Sequence, residues 1–589
     1  MHHTPGFGRL LTALGRPCRS TAGVHIARRT FVTHNCFASP SKWRGSRYLH
    51  HGQERAKNPT TSGVVGRLDL RYGYSAIILL SVPVFFWLGT GNGSAFQTLQ
   101  AEAPPDQDDE GDAQLRKRIR LDEVKEHGPD SERPWVVRGQ SVYDITEWVA
   151  GHPGGEVILR AAGGSVEPYW KIFAIHQKQE VYDILEQYRI GCVDERDLVD
   201  GQVPADSIIN PFVDDPGRDE KLLVHSATPC NAETPGEELG GFITPNRLFY
   251  VRNHMWVPSV EEEQYRLTIE LDDGEEKTYT LMDLREKFPS VTITSTMQCS
   301  GNRRKHMTEQ CGSTNGVQWN VGAIGNATWT GVRLRDVLVD AGFPIDAPPA
   351  DAKHAQFTGL EAYGASVPLA KAIEAHGDVL LAYEMNGSCI PRDHGFPLRV
   401  IVPGHVAARS VKWVQRITIS DEESLSQWQR RDYKSFGPNE GAKPNWSRAR
   451  AIQEMPITSA ITCITGAPPV PQPKAEMNAS SGEEKKNNSD VVLVEGYAYS
   501  GGGREIVRVD ISTDDGKTWD QAELVPAENH GSKLWCWKQW RYQIPAAEFG
   551  GCILAVKATD EAYNTQPETY ASIYNVRGNL ATAWHRVRV

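Results

Sequence analysis

The most informative motif in this chain is His152-Pro153-Gly154-Gly155, which is followed by a second histidine at His176. Each histidine ends an apolar stretch, so the two imidazoles can approach one iron atom from opposite sides. The proline and the two glycines favour a tight turn at His152 and let a flat macrocycle come close to the backbone. A haem held by two imidazoles has no open coordination position, so it carries electrons and does not activate oxygen. The residues expected to line its slot are Val157, Ile158, Leu159, Tyr169, Trp170 and Phe173.

The longer stretch from Trp135 to Gly191 supports the same interpretation. Val142-Tyr143-Asp144-Ile145-Thr146 precedes the turn, and Ala161-Ala162-Gly163-Gly164 follows it. This string resembles the cytochrome b5 family over roughly 80 residues, the usual size of a small domain. The resemblance implies a small α+β domain over residues 115–192 that binds haem b through His152 and His176.

The composition of the whole chain narrows the classes of function. A length of 589 residues predicts several domains, and 39% hydrophobic with 23% charged residues is typical of globular proteins. A net charge of -11 argues against nucleic acid as a partner. The ten cysteines include no CxxC pair, so most are expected to be reduced core residues.

The first 95 residues have the features of a targeting segment. Residues 1–53 contain many arginines and no acidic residue, which predicts a mitochondrial presequence. The apolar run 76–88 is short for a membrane span and is typical of a sorting signal for the intermembrane space. The alternative is a retained anchor; cleavage is favoured, with no stable membrane span in the mature form. An acidic spacer is predicted over 96–114.

Residues 193–440 are predicted to form a tether and a large mixed α+β domain. The segment 193–210 is rich in aspartate and poor in apolar residues, which predicts a flexible tether. Over 211–440 the chain alternates between strand-like and helical patterns. Strands are predicted at Tyr265–Ile269, Val291–Thr294 and Leu398–Val402, and helices at Val332–Ala341 and Val367–His376.

The last part of the chain, residues 441–589, has an all-β pattern. Val491–Tyr499 and Glu505–Thr513 alternate with a period of two, and Asp514-Asp515-Gly516 favours a turn. The pattern predicts an immunoglobulin-like β-sandwich. Residues 468–490 are of low complexity and are predicted to form a disordered loop.

A second site is indicated by Met297-Gln298-Cys299-Ser300-Gly301-Asn302-Arg303-Arg304. Neighbouring cations favour the thiolate form of a cysteine, and a thiolate binds a soft metal. Taken alone, Cys299 fits a buried core cysteine better than a metal ligand. A nucleophilic cysteine is a third interpretation, but it requires a base placed beside the thiol. Three polar segments also lie against β-like or aromatic sequence, where unpaired charge is costly. They are 250–254 (YVRNH), 392–399 (RDHGFPLR) and 408–413 (ARSVKW), and a buried polyanion would explain their number.

These segments resemble the molybdopterin domain of the sulfite oxidase family, which also includes plant-type nitrate reductases. With the haem domain and the β domain, the resemblance covers about residues 116–589. In assimilatory nitrate reductases the haem domain follows the molybdenum domain and precedes a flavin module. Here the haem domain comes first and the chain stops after the β domain, so the animal-type mitochondrial branch is the expected one.

The resemblance implies roles for individual residues. It makes Cys299 the protein thiolate on molybdenum. The pterin and its phosphate would be held by Tyr250, Val251, Arg252, Asn253, His254, Glu361, His394, Arg399, Ser410, Val411 and Lys412. The substrate pocket would be formed by Arg252, Arg304, Trp319, Tyr433 and Arg577, beside Cys299. Guanidinium groups suit a sulfur oxyanion because they stay charged and donate in a fixed fork.

The resemblance also implies a reaction, its cofactors and its partners. Sulfite would gain an oxygen atom at a molybdenum–molybdopterin centre and leave as sulfate. The two electrons would leave one at a time through haem b to cytochrome c, and the β domain would form a two-fold homodimer.

The sequence departs from the family pattern at two places, and two other functions stay open. The segment between Cys299 and Trp319 is one residue longer and contains Cys311, and the loop between Glu361 and Tyr363 is short. The first alternative function is that of a different molybdenum oxidoreductase, for example one that reduces nitrate. The second is a non-catalytic electron-transfer or scaffold protein in which the molybdenum domain has lost its activity; Cys299 and the arginines argue against it.

Overall fold

The computed structural model describes residues 117–152, 155–172, 174–204, 207, 210–361, 363–466, 491–526 and 533–589. These residues belong to one compact unit, 102–589. The predicted presequence, the apolar run 76–88, the spacer 96–114 and the loop 468–490 lie outside the described residues. Within the described ranges, no helix is both long enough and apolar enough to cross a membrane.

The haem domain is a five-stranded sheet with helices packed on it. Its strands, in the order β1-β5-β3-β2-β4, are β1 Arg118–Ile119, β2 Trp135–Arg138, β3 Ser141–Asp144, β4 Gly164–Ser165 and β5 Arg189–Val193. Its α-helices are α1 Leu121–Glu126, α2 Glu167–Trp170 and α3 Gln179–Glu186. Short 3-10 helices span Val149–Gly151, Gly155–Ala161, Ala174–Gln177 and Glu195–Asp197. Successive β2 residues alternate between two apolar clusters, with Val136 on one face and Trp135 and Val137 on the other.

The segment predicted to be a flexible tether, 193–210, is packed on the haem domain as far as Val203. Val193 is a buried residue of β5, and Leu198 and Val203 pack against the apolar cluster of the haem domain. Arg120 donates to both carboxylate oxygens of Asp197, at 2.8 and 2.7 Å. Composition is a poor guide here because it does not reveal the tertiary contacts that this acidic segment makes with the haem domain.

The central domain contains three sheets. In the first sheet the strand order is β10-β9-β18-β13-β14, with the residue ranges given below. In the second sheet it is β11-β12-β15-β16, with β17 also paired to β15, and in the third it is β6-β7-β8. The strands are β6 Leu223–Ser226, β7 Asn231–Glu233, β8 Val251–Arg252, β9 Leu267–Glu270, β10 Glu276–Tyr279, β11 Val291–Gln298, β12 Ile324–Arg333, β13 His354–Gly359, β14 Gly364–Pro368, β15 Leu380–Met385, β16 Ser388–Cys389, β17 Arg399–Ile401 and β18 Val414–Ser420.

The helices of the central domain are short. The α-helices are α4 Leu281–Lys287, α5 Arg304–Cys311, α6 Leu334–Asp340 and α7 Leu369–Ile373. Turns of 3-10 helix span Gly236–Leu239, Asn246–Leu248, Arg392–His394, Ala407–Arg409 and Pro438–Glu440, and a π-helix spans Trp428–Asp432. The three strands and two helices predicted from the sequence of this domain are all present, with ends shifted by a few residues.

The C-terminal domain consists of two four-stranded antiparallel sheets, β19-β20-β24-β23 and β22-β21-β25-β26. The strands are β19 Thr458–Thr465, β20 Val491–Tyr499, β21 Ile506–Ser512, β22 Asp520–Gln521, β23 Glu523–Leu524, β24 Lys538–Pro545, β25 Ile553–Asp560 and β26 His585–Arg588. Helix α8 spans Ala546–Phe549 and a 3-10 turn spans Tyr570–Ser572. One apolar cluster joins residues of both sheets, including Val494 and Val556. This arrangement confirms the predicted immunoglobulin-like sandwich.

Candidate functional site

The two predicted haem ligands face each other in the haem domain. The ring centroids of His152 and His176 are 6.3 Å apart, and the ring planes differ by 8°. Two metal–nitrogen bonds of roughly 2 Å, with half an imidazole ring at each end, give a separation of roughly 6 Å. Burial, and then the nearby His152, lowers the pKa of His176 to about 4, so the ring is neutral, as a metal ligand must be. The pair therefore fits a single iron between two imidazoles.

The slot around this pair is apolar and aromatic. Trp170 stacks on His176 with centroids 5.4 Å apart. Ile158, Tyr169 and Trp170 pack against the haem-domain core that contains Val136 and Tyr143. The predicted slot residue Phe173 and the turn residues 153–154 lie outside the described residues.

The central domain contains a partly open cavity of about 740 Å³, a volume that includes the part open to solvent. Most of the predicted cofactor residues line it, namely Tyr250, Arg252, His254, Glu361, His394, Arg399, Ser410 and Lys412. The side chains of Val251 and Val411 instead belong to apolar clusters, and that of Asn253 lies behind the wall, bonded to Asp393 and Lys412. Sequence reasoning missed four further lining residues: Phe249, Met255, Tyr363 and Ala407. Met297, Asp393, Ala408 and Trp413 also line the cavity; they lie in the motifs quoted above, but no individual role was predicted for them.

The wall of this main cavity carries more positive than negative charge. Among the described residues, Glu361 and Asp393 are the two carboxyl groups in the wall, and Arg218 binds both oxygens of Asp393 at 2.9 Å. Burial raises the pKa of Glu361 to about 7, so this group is only partly ionised.

The cations of the wall bond mainly to neutral acceptors. Arg399 donates to the carbonyls of His394 and Ser410, and Lys412 donates to the Arg252 carbonyl at 3.2 Å. Burial lowers the pKa of Arg399 to about 10 and that of Lys412 well below its ordinary value. Buried cations with few carboxylate partners are costly unless an anion joins them. The donor set therefore fits a molybdopterin with its phosphate.

A second, smaller cavity of about 310 Å³ adjoins the first. Arg252, Cys299 and Tyr433 line both cavities. The smaller cavity adds the predicted residues Arg304, Trp319 and Arg577, and it adds Gly316, Val317, Asp432 and Asn579, which sequence reasoning missed. A buried thiol at the junction of the two cavities can bind a metal held by the larger one while the substrate occupies the smaller.

Local structure explains why Cys299 lies at this junction. Strand β11 pairs with β12 from Val291↔Gly331 to Gln298↔Ile324, and Cys299 follows its last residue. The Cys299 amide donates to the Ala323 carbonyl at 3.0 Å, which fixes the turn that starts there. Arg303 then adopts a left-handed conformation with φ of 64°, and helix α5 begins at Arg304. The Arg303 guanidinium donates to Ser459, Tyr570 and Ala583, so the C-terminal domain holds this turn.

Arg304 is fixed by the protein on every side. Its guanidinium donates to the Arg577 carbonyl at 2.9 Å, to the Val317 carbonyl at 2.7 Å and to Asn579 Oδ1 at 3.0 Å. A Cβ at Gly301 or at Gly316 would lie 2.5 or 2.7 Å from its nitrogens. Burial, and then the neighbouring Arg577 and Arg252 cations, lowers its pKa to about 10 against the opposing effect of Cys299. The side chain stays charged near neutral pH and has limited freedom.

Arg577 is held more loosely than Arg304. Its Nη2 is 3.4 Å from Asp432, and its buried Nε lacks a hydrogen-bond partner among the described residues. The Tyr433 hydroxyl and His254 Nε2 form a hydrogen bond of 2.7 Å. Arg577 and Asn579 come from the C-terminal domain, so that domain completes the smaller cavity.

A buried carboxylate supports the wall behind Trp319. Glu233, fully buried in β7, accepts from the amides of Asn320 at 3.0 Å and Gly322 at 3.2 Å. His225 Nε2 lies 3.1 Å from Glu233 Oε1, and its ring meets the Trp319 ring edge-on at 5.0 Å. No sequence motif indicates this pair, because Glu233 binds backbone amides and His225 contacts a ring that is distant in the chain.

The two imidazoles, the cationic cavity and the thiol define a molybdopterin oxidoreductase with an attached haem domain. Three family models match in the same order: the cytochrome b5-like heme/steroid binding domain at residues 120–194, the oxidoreductase molybdopterin binding domain at 254–428, and the Mo-co oxidoreductase dimerisation domain at 449–589.

Comparison with known proteins narrows this class. The sulfite oxidase of Gallus gallus is 43% identical over 479 residues, which cover 80% of this chain and 99% of that protein. The mitochondrial sulfite oxidase of Homo sapiens is 43% identical over 478 residues, covering 80% of this chain and 83% of its own length. The sulfane dehydrogenase SoxCD of Paracoccus pantotrophus is similar in structure, with a TM-score of 0.51 and 26% identity over 64% of this chain and 88% of that chain. The chain belongs to the sulfite oxidase family.

Proposed function

We propose that this protein oxidises sulfite to sulfate at a molybdenum–molybdopterin centre and passes the electrons singly through haem b to cytochrome c. The observation that carries this proposal is the position of Cys299 between the cationic main cavity and the arginine-lined smaller cavity. When bound, the molybdenum centre supplies the oxygen atom and accepts the electron pair.

The smaller cavity favours an oxyanion of about the size of sulfite. Arg252 and Arg577 offer guanidinium donors there, and partial burial lowers the local dielectric constant and so strengthens charge–charge attraction. Arg304 keeps the Arg577 backbone and Asn579 in place, so we assign it the role of orienting the pocket as well as contributing charge. Trp319 closes one wall, and Tyr433 provides a hydroxyl on the side shared with the main cavity.

The haem domain provides the single-electron step. His152 and His176 leave no free position on an iron between them, so the site suits electron transfer. Cytochrome c is a basic protein, and the net charge of -11 on this chain favours its docking.

The location and assembly follow from the same reasoning. The arginine-rich residues 1–53 and the mitochondrial relatives support targeting to mitochondria, and the short apolar run 76–88 supports the intermembrane space. The match of residues 449–589 to a dimerisation domain supports a homodimer.

The proposal is tested by metal analysis and a substrate screen on the purified protein. We expect one molybdenum and one iron per chain, reduction of cytochrome c with sulfite, and no oxidation of a reduced dye with nitrate. Nitrate-dependent dye oxidation without sulfite activity would instead support a nitrate reductase. Iron without molybdenum would support a non-catalytic electron carrier.

A further inference from the structure

Strand β7 carries two buried polar side chains on one face. Asn231 and Glu233 are 4% and 0% exposed, and they lie two positions apart, so both point to the same face of the strand. Ala232, between them, belongs to an apolar cluster. A buried amide or carboxylate is costly unless hydrogen bonds satisfy it. The partners of Asn231 and Glu233, which we call the β7 pair, therefore show what this face of the strand holds in place.

Asn231 holds one wall of the smaller cavity. Its backbone pairs with Arg252 of β8, and its Oδ1 accepts from Arg252 Nη1 at 3.0 Å. Its Nδ2 donates to Ser226 Oγ at 2.8 Å and to the Pro229 carbonyl at 3.0 Å, so rotation of the amide away from the arginine would break these bonds. Arg252 lines both cavities beside Cys299. Its guanidinium is therefore tied to β7.

Glu233 holds a second wall of the same cavity. Its Oε2 accepts from the amides of Asn320 and Gly322 at 3.0 and 3.2 Å, and its Oε1 accepts from Asn320 Nδ2. The Thr234 amide donates to the Gly322 carbonyl at 3.2 Å, and a Cβ at Gly322 would lie 1.8 Å from the Thr234 carbonyl oxygen. Glycine permits this close approach. The chain that directly follows Trp319 is therefore pressed on β7.

The same segment also reaches Arg304. The Arg303 amide donates to the Asn320 carbonyl at 2.7 Å, and the Lys305 amide donates to the Trp319 carbonyl at 3.1 Å. These two bonds flank Arg304 in the chain, and both Trp319 and Arg304 line the smaller cavity. A shift of the backbone at Asn320 therefore reaches the indole and the guanidinium together.

His225 touches both the carboxylate and the indole. Its Nε2 lies 3.1 Å from Glu233 Oε1, and its ring meets the Trp319 ring edge-on with centroids 5.0 Å apart. The His225 side chain is 22% exposed, whereas Glu233 and Trp319 are fully buried. The imidazole therefore supports this wall from the side that faces solvent.

We propose that the β7 pair, with His225, positions the walls of the smaller cavity relative to one another and so sets its affinity for sulfite. This inference rests on the proposed function. It goes beyond it by assigning part of the substrate affinity to three residues that line neither cavity. They act through the side chains of Arg252, Trp319 and Arg304. Their loss should therefore weaken substrate binding more than it slows the reaction at the metal.

The main test is Glu233→Gln in the full-length protein. Glutamine keeps the size of the side chain but replaces one acceptor oxygen with a donor, so buried donors on Asn320 or Gly322 lose their acceptor. We expect the KM for sulfite to rise roughly tenfold while kcat changes less than about threefold. Hydrogen exchange of the amides in 319–322, followed by mass spectrometry, should become faster. Haem absorption and molybdenum content establish that the variant is folded and loaded.

Asp560→Asn is the matched control. Asp560 is a carboxylate of the C-terminal domain that is 0% exposed, accepts from the amides of Ala562 and Asn564 at 3.0 Å each, and lines neither cavity. It should leave the KM for sulfite unchanged. An unchanged KM in molybdenum-loaded Glu233→Gln protein, or an equal rise in both variants, would overturn the proposal. A molybdenum-loaded unsubstituted protein that does not oxidise sulfite would instead refute the proposed function.

Two milder variants test the same role if Glu233→Gln does not fold. His225→Gln keeps a donor for Glu233 but removes the ring beside Trp319, and Asn231→Ala releases the Arg252 guanidinium. We expect each to raise the KM for sulfite roughly three- to tenfold with little change in kcat. A normal KM in both variants, or a fall in kcat without a rise in KM, would overturn the proposal.

Discussion

Replacing Arg577 by glutamine removes the guanidinium that the C-terminal domain contributes to the smaller cavity. The buried Nε of Arg577 has no partner among the described residues, and its Nη2 lies 3.4 Å from Asp432. These donors are therefore available to an oxyanion. A charge-assisted hydrogen bond is worth roughly 1.5–3 kcal/mol, and each 1.4 kcal/mol is about tenfold in affinity. We expect Arg577→Gln to raise the KM for sulfite roughly ten- to a hundred-fold.

The same substitution at Arg304 provides the comparison. Arg304 donates three hydrogen bonds within the protein, so Arg304→Gln leaves buried acceptors unsatisfied. At roughly 1–3 kcal/mol for each buried group left without a partner, we expect a loss of several kcal/mol in the free energy of unfolding. Arg577→Gln should cost about 1 kcal/mol or less, because its ion pair is long and partly exposed.

Steady-state kinetics with molybdenum quantified per chain, together with thermal unfolding, measure both effects. We expect a high KM with nearly normal stability for Arg577→Gln, and a high KM with reduced stability for Arg304→Gln. A normal KM in fully metallated Arg577→Gln protein would refute the assignment of the smaller cavity as the sulfite pocket.

Three further predictions concern the haem, the assembly and Glu361. His176→Ala should abolish cytochrome c reduction but preserve sulfite oxidation with an acceptor that takes electrons directly from molybdenum. Equal loss with both acceptors would contradict the separation of sulfite oxidation at molybdenum from electron transfer through the haem. Sedimentation of the mature protein should give about twice the chain mass, and a monomer at all concentrations would exclude the homodimer. Burial raises the pKa of Glu361 to about 7. The folded state therefore binds one proton more than the unfolded state between about pH 4.5 and 7, and its free energy of unfolding falls as the pH rises through that range. At pH 8 we expect the free energy of unfolding of Glu361→Gln to exceed that of the unsubstituted protein by about 3 kcal/mol, and at pH 4 we expect no difference. An equal gain at both pH values would contradict the burial of an ionised carboxylate.

Sequence patterns correctly predicted the features that depend on residues close together in the chain. The haem ligands are fixed by one short motif and a histidine 24 positions later, and the structure brings the two rings face to face. The alternation of Val491–Tyr499 predicted a strand with the same bounds as β20. Both depend on neighbouring residues and on the period of the backbone, which a single sequence displays.

Sequence patterns did not predict the features that depend on contacts between residues far apart in the chain. Arg218 is 175 positions from Asp393, and Asn579 is 275 positions from Arg304, so no spacing rule points to either pair. The tether was misjudged because its bonds to Arg120 and the haem-domain core are tertiary. Val251 and Val411 lie within polar motifs, but their side chains turn towards apolar clusters.

The proposed oxidation of sulfite at a molybdenum bound by Cys299, with the haem receiving the electrons, can be tested by one spectrum. The haem absorption is recorded after anaerobic addition of sulfite to the unsubstituted protein and to Cys299→Ser, with molybdenum and iron quantified in both. We expect a reduced haem in the unsubstituted protein. In metallated Cys299→Ser we expect a haem that dithionite reduces but sulfite does not. Reduction by sulfite at an equal rate in both proteins would contradict the role proposed for Cys299.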